Sequence, residues 1–221
     1  MSFTFRCLDA TGDAPLIHRW VTRSYAAFWG MQSTTVQDVV EEYSKIQSSG
    51  HHHALLGLDG GVPAFLMEEY LPALSPLNQA YAVQPGDIGM HLLVAPPERP
   101  RNGFTADVME AALDRLFLKT GVDRVVVEPD ARNAKIHALN SRLGFTPAGV
   151  VTLPDKEALL SFCTRADFQS ARTARHRPTL HEPGPDVPAT DHSAIDHLTI
   201  DQPTTDQFTT DQFTPDQEAS L

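Results

Sequence analysis

DIGMHLLVAPPERPRNGFTADVMEAALDRLF (Asp87–Phe117) and LKTGVDRVVVEPDARNAKIHALNSRLGF directly after it (Leu118–Phe145) hold the reading that decides the fold. Ile88 to Val94 is an apolar run whose alternation puts Ile88, Met90, Leu92 and Val94 on one face and Gly89, His91 and Leu93 on the other. His91 is therefore a lone imidazole in an otherwise apolar strand. The segment Pro96–Gly103 is too rich in proline for regular structure. A helix follows over Phe104 to Lys119, with Val108, Ala111, Ala112 and Leu116 as its buried stripe, and Thr120-Gly121 ends it. Val125 to Val127 is apolar on both faces, as a central strand is, and Pro129 closes it. Asp130 and Asn133 are good caps for a second helix, Ala134 to Leu143, which stops at Gly144. Two strands joined by a helix, with a glycine turn at the helix start, make a phosphate site, because the helix N-terminus leaves N–H groups unpaired and carries partial positive charge.

On the N-terminal side, Phe3 to Leu8 alternates as a short strand, and Asp13 with Pro15 opens a helix over Leu16 to Thr22. Trp20, Tyr25, Phe28 and Trp29 then crowd into ten residues, either as a core corner or as a wall of an acceptor pocket. Ser33 or Thr34 caps a helix over Val36 to Gln47. Three adjacent histidines, His51 to His53, cannot all face one metal, and no Cys or acidic residue stands at ligand spacing. They read as a solvated loop, and no metal is expected. Ala54–Leu58 and Val62–Tyr70 form a hairpin around Asp59-Gly60-Gly61, and a proline-punctuated loop leads to Asp87.

On the C-terminal side, Phe145 to Leu153 and Ala158 to Cys163 read as strands. The order is a strand, two helices, three strands, helix, strand, helix and two strands: a mixed α/β sheet with helices on both faces. Residues 1–171 are read as one domain and 172–221 as a disordered acidic tail. From Asp186 that tail falls into seven five-residue units, each begun by aspartate, with too few apolar groups to offset ordering. Its partner is unspecified.

The chain has 221 residues and a net charge of −11, of which the stretch from Arg172 onward carries −6. A basic, clustered nucleic-acid surface is absent from this pattern. Arg99, Arg101, Arg132 and Arg142 gather instead in the central stretch, suited to a small anionic ligand. No run approaches the roughly 20 apolar residues of a membrane helix. Two cysteines without redox or metal spacing, and an N-terminal stretch unlike a signal peptide, make the cytoplasm the expected location.

Strand, glycine turn, helix, strand and an Asn-led helix ending in Gly-Phe resemble the GCN5-related N-acetyltransferase (GNAT) family. NAKIHALNSRLGF resembles that family's second motif, and HRWVTRSYAAFWGM, PAFLMEEY, GDIGMHLLVAP, VVVEPDARN and ALLSFCTR are similar to its siderophore-biosynthesis acyltransferases, most of all the N-hydroxycadaverine acyltransferases, with the mycobactin-type lysine and N6-hydroxylysine acyltransferases as near relatives. The resemblance implies a GNAT-like, mostly antiparallel central sheet. It implies an acyl-CoA co-substrate, acetyl-CoA or succinyl-CoA, whose pyrophosphate meets the turn Arg99, Arg101, Asn102, Gly103, Phe104 and Thr105. Only Gly103 matches the family's glycine pattern there. Asn133 and Asn140 would face the same ligand, and Asn140 stands where many members carry a tyrosine that protonates the departing thiolate. His91 and Asp130 are the implied catalytic pair, with His91 as base, Asp130 orienting it and the Leu93 or Val94 N–H holding the oxyanion. Trp20, Phe28 and Trp29 would wall the acceptor pocket, and Glu68 or Glu69 would hold the far ammonium of a diamine. The implied product is a hydroxamate. Alternatives are a mycobactin-type lysine acyltransferase, an aminoglycoside-type N-acetyltransferase and a non-catalytic acyl-CoA-binding module.

Overall fold

The computed structural model describes residues 3–96 and 101–176, all within one compact unit. Seven strands make one sheet: β1 (Phe3–Cys7), β2 (His52–Asp59), β3 (Val62–Tyr70), β4 (Asp87–Val94), β5 (Arg124–Val127), β6 (Thr146–Thr152) and β7 (Glu157–Thr164). Their spatial order is β1-β2-β3-β4-β5-β7-β6. Every neighbouring pair is antiparallel except β4 and β5. A parallel pair needs a crossover, and α3 (Phe104–Phe117) supplies it.

Helices cover both faces. One face packs β2, β3, β4, β5 and β7 against α3 through Leu55, Phe65, Met67, Val125 and Cys163 on the sheet and Val108, Ala112, Leu113 and Leu116 on the helix. The other packs Ala54, Leu56, Leu66 and Leu93 against α1 (Ala14–Val21) and α2 (Val36–Ser48). The alternation read in β4 is therefore the partition between two cores. The cap of α2 is Thr35, not Ser33 or Thr34. Its hydroxyl accepts from the Asp38 N–H while Asp38 accepts from the Thr35 N–H, a reciprocal capping box. Asp13 stands at the start of α1 without capping it, because its carboxylate is spent on Arg6.

Two features depart from the sequence reading. His52 and His53 lie inside β2 rather than in a loop, since the hairpin ladder continues through His52–Tyr70. A last helix, α5 (Arg165–Arg175), follows β7 directly. Its polar sequence hides a single anchor, Phe168, 2% exposed and stacked on Phe117. Gly144, in left-handed backbone, ends α4 (Ala134–Arg142) where a Cβ would lie 2.7 Å from the Asp167 carbonyl oxygen. The five-residue units and Arg99 lie outside the described residues. No helix among the described residues is long and apolar enough to cross a membrane.

Candidate active site

β4 and β5 pair only from Asp87–Gly89 to Arg124–Val126 and then part. Where they part, a cavity of about 970 Å³ opens, lined from β4, the end of β5, α2, α3, α4 and the 24–31 segment. Ala95 N–H donates to the Ala64 carbonyl at 2.8 Å, and β3–β4 pairing holds one register from Phe65–Val94 to Tyr70–Gly89. Alternation commits the Leu93 N–H to β3 and turns the Val94 N–H toward the gap. Of the two expected oxyanion donors, Val94 is thus the one left free by the ladder.

His91 projects into this cavity with 34% of its side chain exposed. Register explains its neighbours. Glu68 lies directly opposite it on β3, and extending the β4–β5 register places Glu128 opposite on the other side. His91 Nδ1 is 2.9 Å from Glu68 Oε2, and Nε2 is 2.5 Å from Glu128 Oε1. Each carboxylate has a second anchor: the Tyr43 hydroxyl donates to Glu68 Oε1 at 3.0 Å and the Tyr70 hydroxyl to Glu128 Oε2 at 2.9 Å. Tyr70 reaches across β4 because residue 89 is glycine; a Cβ there would sit 2.2 Å from its ring. Lys156 Nζ stands 4.0 Å from Glu128.

These contacts set the charges. Burial opposes a charged His91, but the charge and hydrogen bond of Glu128, then those of Glu68, outweigh it and raise the imidazole to about 10. Burial likewise opposes ionised Glu68, yet its histidine partners hold it at about 2. Glu128 is lowered too, its burial outweighed by His91 and Lys156. Burial and the adjoining carboxylates push both tyrosines well up, so they remain donors. The resting unit is a carboxylate–imidazolium–carboxylate.

The expected site residues separate into three groups. Phe28, Trp29, Glu68, His91, Leu93, Val94, Thr105, Asp130, Asn133 and Asn140 all line the cavity. Trp20 does not: it is 5% exposed in the α1–α2 core, the corner its size suits. Phe104 packs beside Phe3, and Arg101 reaches back to Asp59 at 2.7 Å and lies over the Phe104 ring. Asn102 and Gly103 form the exposed turn; Gly103 has φ of +79° and caps α3 without any side-chain bond, so the α3 N-terminus has no side-chain acceptor.

Asp130 does not orient His91. Both ring nitrogens are taken by the two glutamates, and the Asp130 carboxylate is closed on Arg132 at 2.9 and 2.7 Å, which depresses its pKa strongly. Asp130 is two residues beyond Glu128, past the end of β5, and so one step too far along. Both Glu68 oxygens are already paired, with Tyr43 and His91, so an acceptor's ammonium would have to compete with the imidazole there. Acidic lining comes instead from Asp38, Glu41 and Glu42 on α2. The sequence reading gave no site role to Glu128, Tyr70 or Tyr43 and put His52 in a loop. A polar strand residue or a tyrosine on a helix names no partner until the strand register is known.

Comparison with known proteins agrees with this architecture. The family described as "Acetyltransferase (GNAT) domain" matches residues 9–153. The N(6)-hydroxylysine O-acetyltransferase of Escherichia coli is 23% identical over 166 residues, 75% of this chain and 53% of its own length, so the chain spans about half of that relative. The N-hydroxyputrescine acetyltransferase of Acinetobacter baumannii is 21% identical over 76% of this chain and 80% of its own. The lysine N-acyltransferase MbtK of a Mycobacterium species is 25% identical over 59% of this chain and 54% of its own. Among solved structures, an uncharacterized protein from Bacillus halodurans superposes with a TM-score of 0.72 at 26% identity, covering 76% of this chain and 87% of its own. AAC(6')-Ib in complex with ribostamycin and coenzyme A superposes at 0.69 and 23% identity, covering 78% and 98%, a likeness of fold.

Proposed function

The chain belongs to the GNAT acetyltransferase family, and from that premise we propose that it transfers an acyl group from acyl-CoA to the hydroxyamino nitrogen of an N-hydroxylated diamine, or of N6-hydroxylysine, forming a hydroxamate during siderophore assembly in the cytoplasm. The observation that carries this reading is the His91 ring, held between Glu68 and Glu128 on the wall of the cavity where β4 and β5 part. The names of the curated relatives support the acceptor class.

The uncapped N-terminus of α3, behind the Gly103 turn, suits the pyrophosphate of the co-substrate. The Val94 N–H faces the gap where the thioester carbonyl would lie and would hold the developing oxyanion. A hydroxylamine nitrogen is weakly basic and arrives uncharged. Its attack on the carbonyl forms the C–N bond and makes that nitrogen strongly acidic. The Glu68–His91–Glu128 unit, an imidazolium between two carboxylates with a net single negative charge, takes that proton on a carboxylate oxygen. The C–S bond then breaks, and the thiolate takes a proton from His91 or from water, the Asn140 amide not being acidic enough to give one. Asp38, Glu41 and Glu42 favour a cationic far end on the acceptor, while Phe28 and Trp29 wall its methylene chain.

Thiol release measured with acetyl-CoA or succinyl-CoA, against N-hydroxycadaverine, N6-hydroxylysine and their parent amines, tests the reading. Release with a hydroxylamine and not its parent amine is expected. Release only with lysine would transfer the assignment to a mycobactin-type lysine acyltransferase. The acidic lining also suits an aminoglycoside, and release with kanamycin alone would establish that second reading. CoA binding without any release would leave a binding module.

A further inference from the structure

His52, Glu68 and His91 come from three adjacent strands and meet at one point. His52 Nε2 is buried and makes no well-formed hydrogen bond among the described residues. It lies 3.3 Å from Glu68 Oε2, and His91 Nδ1 lies 2.9 Å from the same oxygen. The three ligand atoms all fall within 4.8 Å of one another. Two imidazoles and a carboxylate converging this way, with open cavity on the remaining side, are the donor set a borderline divalent cation takes with one position left for water.

The supporting contacts of such a site are also present. A histidine that ligates a metal characteristically donates its other ring N–H to a carboxylate. His91 Nε2 does so to Glu128 Oε1, which leaves Nδ1 as the ligating atom. Tyr43 holds the second oxygen of Glu68, aiming the first at the histidines. Glu128 and Tyr43 are buried, so this frame is preset.

We propose that His52, Glu68 and His91 form a binding site for a divalent transition cation, zinc(II) in particular, that shuts the acyl-transfer site. The cation takes the lone pairs of His52 Nε2 and His91 Nδ1 and one oxygen of Glu68. The proton shared between His91 Nδ1 and Glu68 passes to solvent, and a cavity water fills the fourth position. With Glu68 and His91 ligated, the unit no longer accepts the acceptor's proton. Inhibition rests on the function proposed above; binding of the cation does not.

The test uses zinc chloride titrated into the metal-free full chain in competition with a chromophoric chelator. One site of high affinity is expected. His52→Ala and Glu68→Gln should each weaken it about tenfold or more, and Tyr43→Phe, which keeps all three ligands, by about tenfold. His53→Ala, on the opposite face of β2, should leave it unchanged. Thermal unfolding of each variant shows that it is folded. Cobalt(II) in place of zinc should give the intense visible bands of four-coordination in wild type and lose them in His52→Ala. Equal zinc affinity in wild type and folded His52→Ala, or a loss shared by His53→Ala, would mean an adventitious ion only and overturn the site. Zinc binding here in a protein that releases no thiol with any acceptor would uphold the site and count against the proposed function.

Discussion

A neutral imidazole donates one hydrogen bond, yet His91 meets a carboxylate at each ring nitrogen. The raised imidazole and lowered carboxylate favour two protons on the ring, so in the function proposed above the proton acceptor would be the three-group unit rather than the ring alone. His91→Gln keeps a donor but removes the titrating ring. It should lower turnover about a hundredfold or more while acyl-CoA affinity, measured by calorimetry, stays the same; an equal fall in both would reject the assignment. The charges also predict a pH dependence of stability. His91 is raised from 6.5 to about 10, so its contribution is fully present below 6.5 and is lost as pH rises through 10. Glu68 is lowered from 4.5 to about 2, so its contribution is present above 4.5 and lost as pH falls through 2. The gap in urea midpoint between wild type and His91→Gln should therefore narrow from neutral pH toward pH 10. A constant gap would show that the ring is not charged in the folded state. His91 was legible from the sequence because a single titrating group in an apolar strand stands out. Glu128 was not, because a glutamate before Pro129 is indistinguishable from a strand end until β5 is set beside β4.

Elements carry these residues by register. β3, β4 and β5 bring Glu68, His91 and Glu128 into one row, and α2 lays Tyr43 over that row. α2 begins with the reciprocal Thr35–Asp38 cap. Thr35→Ala removes it and should cost about 1 kcal/mol of stability by denaturant unfolding. An unchanged midpoint would mean that tertiary packing alone holds the start of α2. The ends of β3, β4 and α3 were readable from punctuation: Gly60-Gly61, the proline run and Gly103. α5 was not, because its helical face shows one large apolar anchor, Phe168, among charges. Those charges find partners far away in sequence: Arg165 on the Phe117 and Val122 carbonyls, and Arg172 and Arg175 on Asp114, Asp107 and Glu110 of α3.

At the scale of the molecule, residues 1–178 form the compact unit that contains every wall of the cavity. A chain ending at Pro178 is expected to keep its thermal midpoint and its thiol-release rate. One ending at Thr164 loses Phe168 and the Arg165 and Arg175 contacts to α3, and is expected to unfold. Loss of activity in the longer truncation would place a functional role beyond residue 178. The sequence alone determined the fold class, most element boundaries, the glycine turn before α3 and His91 as the lone imidazole of β4. These are local properties: apolar period, turn chemistry and capping act over a few residues. Tertiary structure decided which carboxylates flank His91, that Asp130 closes on Arg132, that Trp20 is core, and that His52 faces Glu68. The flanking of His91 and the facing of His52 and Glu68 depend on how strands separated in sequence align, and a shift of one residue in that register would turn those side chains to the other face.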